Sequence, residues 1–254
     1  MTYLLHDGLE AFDGVPVLQT AAAEQRSPGP INACKPAIRR SATPPAPGPG
    51  LIERPRLLDL LTRAHQPFAA TLITGRAGTG KTCLAAQYAA QLPSAVWLEL
   101  DTPDMQWASF ADYLLRGTGV RSRKPLPEPA AGPEAIDAVL GRAFERTKAP
   151  LVVIDDLHKI FDTQWFGDLI RCLPGSVPQG THVILISRTR PPGPFWRMRS
   201  KQMFNFIDEG PLSFTREEAK TLFRALGAPA GKAADAHRRS FGRAEVLARL
   251  AAGG

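Results

Sequence analysis

Cysteine is scarce in this 254-residue sequence, which has only Cys34, Cys83 and Cys172. An odd count without metal-ligand spacing excludes a disulfide framework and a zinc-finger type of cluster. No apolar run reaches the ~18 to 20 residues that a membrane-crossing helix requires. Met1 to Leu18 carries Asp7, Glu10 and Asp13 and lacks the basic start and continuous apolar stretch of a secretory signal. The expected compartment is the cytoplasm. From Thr20 to Gly50 leucine and aromatic residues are missing, and Ala, Pro, Gly, Ser and Arg dominate, so little there offsets the entropy of ordering a chain. Residues 1–48 are therefore expected to be a mostly disordered extension and linker.

Acidic residues are missing from one further stretch, Arg188 to Lys201, where Arg188, Arg190, Arg197, Arg199 and Lys201 stand together. Elsewhere the 31 basic residues are interspersed with 24 acidic ones, so the net charge of +7 carries little information about partners. Pro191, Pro192 and Pro194 make the basic stretch irregular, which favours a solvated loop over an anion-facing surface.

What is present is an alternation of helix and strand patterns. Leu57, Leu58 and Leu61 share one face of a helix that follows a short lead-in. Ala69 to Thr74 is a strand, and Lys81 to Leu92 is a helix with Leu84, Tyr88 and Leu92 at helical spacing. Ala95 to Leu100 is a second strand, followed by a helix marked by Trp107, Phe110, Ala111 and Leu114. After a loop from Pro125 to Pro133 comes a stripe of Ile136, Val139, Leu140, Ala143 and Phe144, then the buried strand Leu151 to Ile154. His182 to Ile186 is a fourth strand and Met203 to Ile207 a fifth. This order predicts an α/β fold, a parallel sheet with helices on both faces.

The pattern then changes. Thr215-Arg216-Glu217-Glu218 reads as a capping box, with Ala219, Leu222, Phe223 and Leu226 on one helix face and Gly227 as the stop. A weaker helical stretch runs from Ala233 to Ala251 with a break at Gly242. These helices cannot extend a parallel sheet. The expected organisation is a nucleotide-binding domain over 49–210 and a small helical lid over 211–254.

Gly75-Arg76-Ala77-Gly78-Thr79-Gly80-Lys81-Thr82 fits the pattern G-x-x-x-x-G-K-[ST] between a strand and a helix, the context a phosphate-binding P-loop requires. Glycine lets backbone N–H groups converge on phosphate where a side chain would block approach, and the helix N-terminus adds a favourable dipole. Lys81 is expected to bridge the β- and γ-phosphates, Thr82 to ligate Mg²⁺, and Cys83 to complete the nucleotide-contacting stretch. The ligand is ATP, with other nucleoside triphosphates less favoured.

Four apolar strand residues end in Asp155-Asp156. Asp155 is assigned to the hydration shell of Mg²⁺, and Asp156 to the γ-phosphate side, where it can orient an attacking water. Arg188 closes the fourth strand at the carboxyl edge of the sheet, where open α/β sheets bind ligands, and is placed to sense the γ-phosphate. The alternative for Arg188 is an ion pair with Asp155 or Asp156. His158 follows the acidic pair and is read as a surface residue at a helix start.

From about Lys35 onward the chain resembles the ATPase module of STAND signal-transduction ATPases, most closely the MalT-type, large ATP-binding LuxR-family transcription regulators. The similar pieces are Leu51 to Leu58, Trp97 to Asp101 with Asp104 and Phe110, Ile154 to His158, Ser187 to Pro192, and Leu212 to Ala219. The resemblance implies a sheet ordered as in AAA-like ATPases, an ATP-on, ADP-off switch with slow hydrolysis, the roles above for Asp155, Asp156 and Arg188, and adenine contacts from Leu51 to Arg54. Relatives carry Gly-Trp-Pro or Gly-Leu-Pro in the last lid helix, where this chain has Gly242-Arg243-Ala244. They also continue past this point into a winged helix, helical repeats and a DNA-binding helix-turn-helix. No DNA-reading motif occurs in this sequence, which leaves a truncated regulator, an orphan ATPase and a subunit of a split regulator as alternatives.

The leading expectation is a nucleotide-dependent switch in signalling or transcription regulation that engages a protein partner or a second copy in its ATP state. Turnover is expected to be slow, because Asp156 stands where faster relatives often have glutamate and no arginine finger is evident. The alternatives are an AAA-like ATPase acting on nucleic acid and a non-hydrolysing ATP-binding interaction module.

Overall fold

The computed structural model describes residues 51–101, 105–121, 132–193, 195 and 203–253. The expected N-terminal extension, Asp104, most of the Pro125 to Pro133 loop, and Arg197, Arg199 and Lys201 of the basic stretch lie outside the described residues.

Five strands form one parallel sheet: β1 (Ala70–Thr74), β2 (Ala95–Glu99), β3 (Leu151–Asp155), β4 (His182–Ser187) and β5 (Phe204–Ile207), in the spatial order β2-β3-β4-β1-β5. The period-2 alternation of strand side chains divides each strand between two cores. Leu72, Val152, Ile154, Val183 and Leu185 face one cluster, while Ile73, Leu151, Val153, Ile184 and Ile186 face the other. Both faces must be covered, which is why β3 and β4 read as continuous apolar runs.

Helices α1 (Pro55–His65) and α2 (Lys81–Ala90) cover one face with Leu57, Leu61, Leu84 and Tyr88. Helices α3 (Trp107–Gly117), α4 (Pro133–Arg146) and α5 (Phe166–Ser176) cover the other with Phe110, Leu140 and Leu169. Helix α5 is not anticipated from the sequence. Phe166, Leu169, Ile170 and Leu173 do recur at helical spacing and are buried, but Pro174 within the segment reads as a breaker. It falls in the last turn, where the missing N–H takes one bond from the ladder and only two helical residues follow it.

After β5 a short helix, α6 (Glu209–Leu212), leads to three C-terminal helices, the segment expected to be a lid: α7 (Arg216–Ala225), α8 (Ala233–Ser240) and α9 (Ala244–Ala251). The capping box at Thr215 is formed in full: its hydroxyl accepts from the Glu218 N–H, and the Glu218 carboxylate accepts from the Thr215 N–H. The lid has its own core of Phe214, Ala219, Leu222, Phe223, Ala233, Ala236 and Leu247, and Ile52 from the lead-in belongs to it. Leu226, expected on the buried face of α7, is instead 37% exposed. The helix ends at Ala225, and its apolar stripe leaves the lid core with it.

Among the described residues no helix is long and apolar enough to cross a membrane.

Candidate functional site

Strand order assembles the site. Because β1 lies beside β4, and β4 beside β3, the loops leaving the carboxyl ends of these strands are neighbours although far apart in sequence. Thr74 pairs with Ser187 and Ile154 with Leu185, which sets Gly75 to Thr82, Asp155-Asp156 and Arg188 around one opening. Gly78, Gly80, Lys81, Thr82, Asp155, Asp156 and Arg188 line a shared cavity of about 420 Å³.

Within the P-loop, Gly78 and Gly80 have φ of 74° and 88°, left-handed backbone that glycine adopts without a Cβ penalty. A Cβ on Gly78 would also lie 2.0 Å from Glu245 Oε2. The Lys81 ammonium donates to the Arg76 carbonyl at 2.8 Å and lies 3.4 Å from Thr79 Oγ1. Burial pushes its pKa down, with Asp155 opposing. The lysine is thereby held inside the loop.

The Thr82 hydroxyl donates to Asp155 Oδ2 at 3.0 Å, and Asp155 Oδ1 accepts the Asp156 N–H at 2.8 Å. Burial raises the Asp155 pKa, and these hydrogen bonds pull it back. A hydroxyl and a carboxylate oxygen in contact form a hard-donor pair that suits Mg²⁺, which takes its remaining ligands from water and phosphate.

Asp156 is surrounded by cations. Arg188 Nε lies 3.2 Å from Oδ1 and its Nη2 3.4 Å from Oδ2, and Lys159 Nζ is 3.3 Å from Oδ2. Of the alternatives for Arg188, this structure contains the ion pair with Asp156. His158 is not the surface residue expected: it is half-buried in a 3-10 turn. Its Nδ1 is buried without a hydrogen-bond partner, 3.8 Å from Asp156 Oδ1, and burial lowers its pKa, with Asp156 opposing.

A second, more apolar cavity of about 300 Å³ adjoins the first across Gly78, Gly80 and Cys83. Its walls come from the lead-in (Leu51, Ile52, Arg54), from α2 (Leu84, Gln87) and from the lid (Phe214, Leu222, Ala244, Ala248). Ala244 presents a methyl group to this cavity. The lid rests directly on the P-loop, since the Glu245 N–H donates to the Gly78 carbonyl at 3.0 Å. Gly242 allows close packing against the segment before α7: its φ is 74°, a Cβ there would lie 2.7 Å from the Phe214 carbonyl oxygen, and its carbonyl accepts the Phe214 N–H at 2.8 Å.

Several residues at the site are not singled out by sequence. Glu99 and Trp97 line the phosphate-side cavity, with Glu99 in register opposite Asp155. Glu209 accepts the Arg76 N–H at 2.7 Å and pairs with its guanidinium. That backbone hydrogen bond is the main reason its pKa is lowered. Only the strand-end position of Glu99 offers a signal in sequence. Glu209 becomes a neighbour of the P-loop because β5 pairs with β1, and Glu245 through the packing of α9.

Residues 66–189 match the family model for the AAA domain. The chain is 29% identical over 181 residues to the HTH-type transcriptional regulator MalT of Vibrio cholerae, covering 68% of this chain and 20% of the relative. It is 31% identical over 179 residues to MalT of Serratia proteamaculans, covering 67% and 20%. The chain therefore spans about a fifth of the length of these curated relatives. Among solved structures it resembles the Walker-type ATPase PABY2304 of Pyrococcus abyssi (TM-score 0.54, 10% identity, 79% of this chain and 67% of that one). It also resembles the Aeropyrum pernix ORC1 protein, solved in complex with DNA (TM-score 0.51, 14% identity, 79% and 58%). At these identities the structural likenesses speak for the fold alone. With its sheet order, its P-loop and the acidic pair ending β3, the segment 66–189 is a P-loop NTPase domain of the AAA type.

Proposed function

We propose that this chain is an ATP-dependent switch with slow hydrolysis, in which the state of the nucleotide sets the position of the helical lid and thereby engages a protein partner or a second copy. The observation that carries the reading is the contact of α9 with the P-loop, through the Glu245 N–H and the Gly78 carbonyl, because a change at the phosphate-binding segment is then felt by the C-terminal helices. Phosphates bind the backbone N–H groups of the P-loop and Lys81, and the base enters the apolar cavity beside it. Thr82 and Asp155 would hold Mg²⁺, which would supply charge neutralisation for the phosphates. Arg188 exchanges Asp156 for the γ-phosphate, and the freed carboxylate orients the attacking water. The partition into a nucleotide-binding domain over 49–210 and a lid over 211–254 belongs to this reading. So does a role in transcription regulation, by similarity to the MalT regulators.

The test is calorimetric titration of the full chain with ATP, ADP and GTP in the presence of Mg²⁺, beside Lys81→Ala. Micromolar adenine-nucleotide binding that weakens at least 100-fold in the variant is the expected result, since removing the ammonium strips charge-assisted contacts from two phosphates. Absence of binding to any nucleotide overturns the reading.

A further inference from the structure

The cavity beside the P-loop is built from pieces that do not belong to one unit. One wall, Leu51 to Arg54, lies ahead of α1 in neither helix nor strand. Its carbonyl at Ile52 accepts from Gln87 Nε2 on α2 at 2.7 Å, but its heavier attachments run to the lid. Ile52 packs in the lid core. Arg54, 4% exposed, donates to the carbonyls of Leu212 and Ser213 at 2.8 and 3.1 Å, and its guanidinium lies 4.2 Å from the centre of the Phe214 ring. Arg56 donates to the carbonyls of Pro211 and Ser213 at 2.7 and 2.6 Å. Both guanidinium groups then converge on one carboxylate: Glu218 receives Arg56 through both oxygens at 3.0 Å and Arg54 at 3.3 Å.

We infer that Glu218 is a positioning residue for the nucleotide base, joining the lead-in and the lid into a single wall of the apolar cavity. The inference rests on the reading of the adjoining P-loop as an ATP site. Arg54 and Arg56 are like charges in close quarters, one of them buried, and such a pair holds its place only beside a countercharge. The carbonyls they also bond carry no charge to supply it. Loss of the Glu218 charge drives the lead-in from the lid and opens the base cavity. Contacts to phosphate come from Gly78 to Thr82, which Glu218 does not touch, and are left intact. The prediction is therefore a separation between the two halves of the ligand.

Glu218→Gln suits the test because glutamine keeps an acceptor for the Thr215 N–H and so preserves the helix cap. The full chain, wild type and variant, is titrated by calorimetry with ATP and with tripolyphosphate, both with Mg²⁺, and its thermal melt is recorded. ATP binding is expected to weaken about tenfold, the scale of one lost charge-assisted hydrogen bond, while tripolyphosphate changes less than about twofold. Arg56→Gln, at a more exposed position, removes the bonds that tie the lead-in to Glu218 and to the Pro211 and Ser213 carbonyls. It is expected to move the ratio in the same direction by a smaller factor, because Arg54 keeps Glu218 as its partner, and it serves if Glu218→Gln fails to fold. Unchanged ATP affinity in the variants, or equal losses for both ligands, overturns the assignment of Glu218 alone. A wild-type chain that binds ATP no more tightly than tripolyphosphate overturns the base cavity itself, and with it the reading beneath.

Discussion

Asp156 has φ of 58° and ψ of 34°, left-handed backbone that costs a residue with a Cβ about 1 to 2 kcal/mol, less for the short polar side chains that bond locally. The conformation aims its carboxylate at Arg188 and Lys159 and away from Asp155, so that two adjacent acids serve different partners. Asp155 is tied to Thr82 and to the Asp156 N–H. The Asp156 carboxylate is held by the Arg188 and Lys159 side chains. Asp156→Asn is expected to lower steady-state ATP turnover by about 100-fold, the lower range for a positioned acid or base, while ATP affinity stays within a few fold. Parallel phosphate-release and calorimetric measurements check this, and undiminished turnover removes Asp156 from the mechanism.

At the scale of elements, the lid is locally encoded and globally placed. The capping box that starts α7 satisfies two backbone donors through residues three apart, and so was legible as a motif. Thr215→Ala is expected to cost about 1 kcal/mol of stability, read as a lower urea midpoint at unchanged slope. An unchanged midpoint means water replaces the cap. Helix α5 shows the opposite case. Its stripe of Phe166, Leu169, Ile170 and Leu173 is real, but a proline rule applied without knowing where the helix ends suppresses it. Leu226 shows the same limit at a terminus, where helical spacing alone does not say that the buried stripe has run out.

For the whole molecule, stability is coupled to pH through the amino end of the central strand, β4. His182 opens β4 with no exposure, its Nδ1 2.9 Å from the Phe68 carbonyl and its Nε2 2.9 Å from Thr71 Oγ1. A carbonyl only accepts, so Nδ1 carries the proton and Nε2 accepts from the threonine hydroxyl. His65 stacks on the ring at 5.3 Å. Burial lowers the His182 pKa from 6.5 to about 4, opposed by the Phe68 carbonyl and assisted by His65. The unfolded chain therefore binds a proton between these values that the folded chain refuses. Its contribution is complete above pH 6.5 and is lost as pH falls toward 4, by up to about 3 kcal/mol. Urea midpoints at pH 7 and pH 4.5 test it, with His182→Gln expected to flatten this part of the profile.

The sequence by itself determined the P-loop, the acid pair ending a strand, the five strands and the capped lid helix, because each is a pattern of neighbours whose physics acts over a few residues. Tertiary structure alone decided that Arg188 pairs with Asp156 across 32 positions and that Glu218 gathers Arg54 and Arg56 across more than 160. It also decided that Glu245 rests on Gly78. Those contacts depend on the order of the strands and on where the lid packs. Charge and hydrogen-bonding capacity are written in each residue, but partners are chosen by the fold.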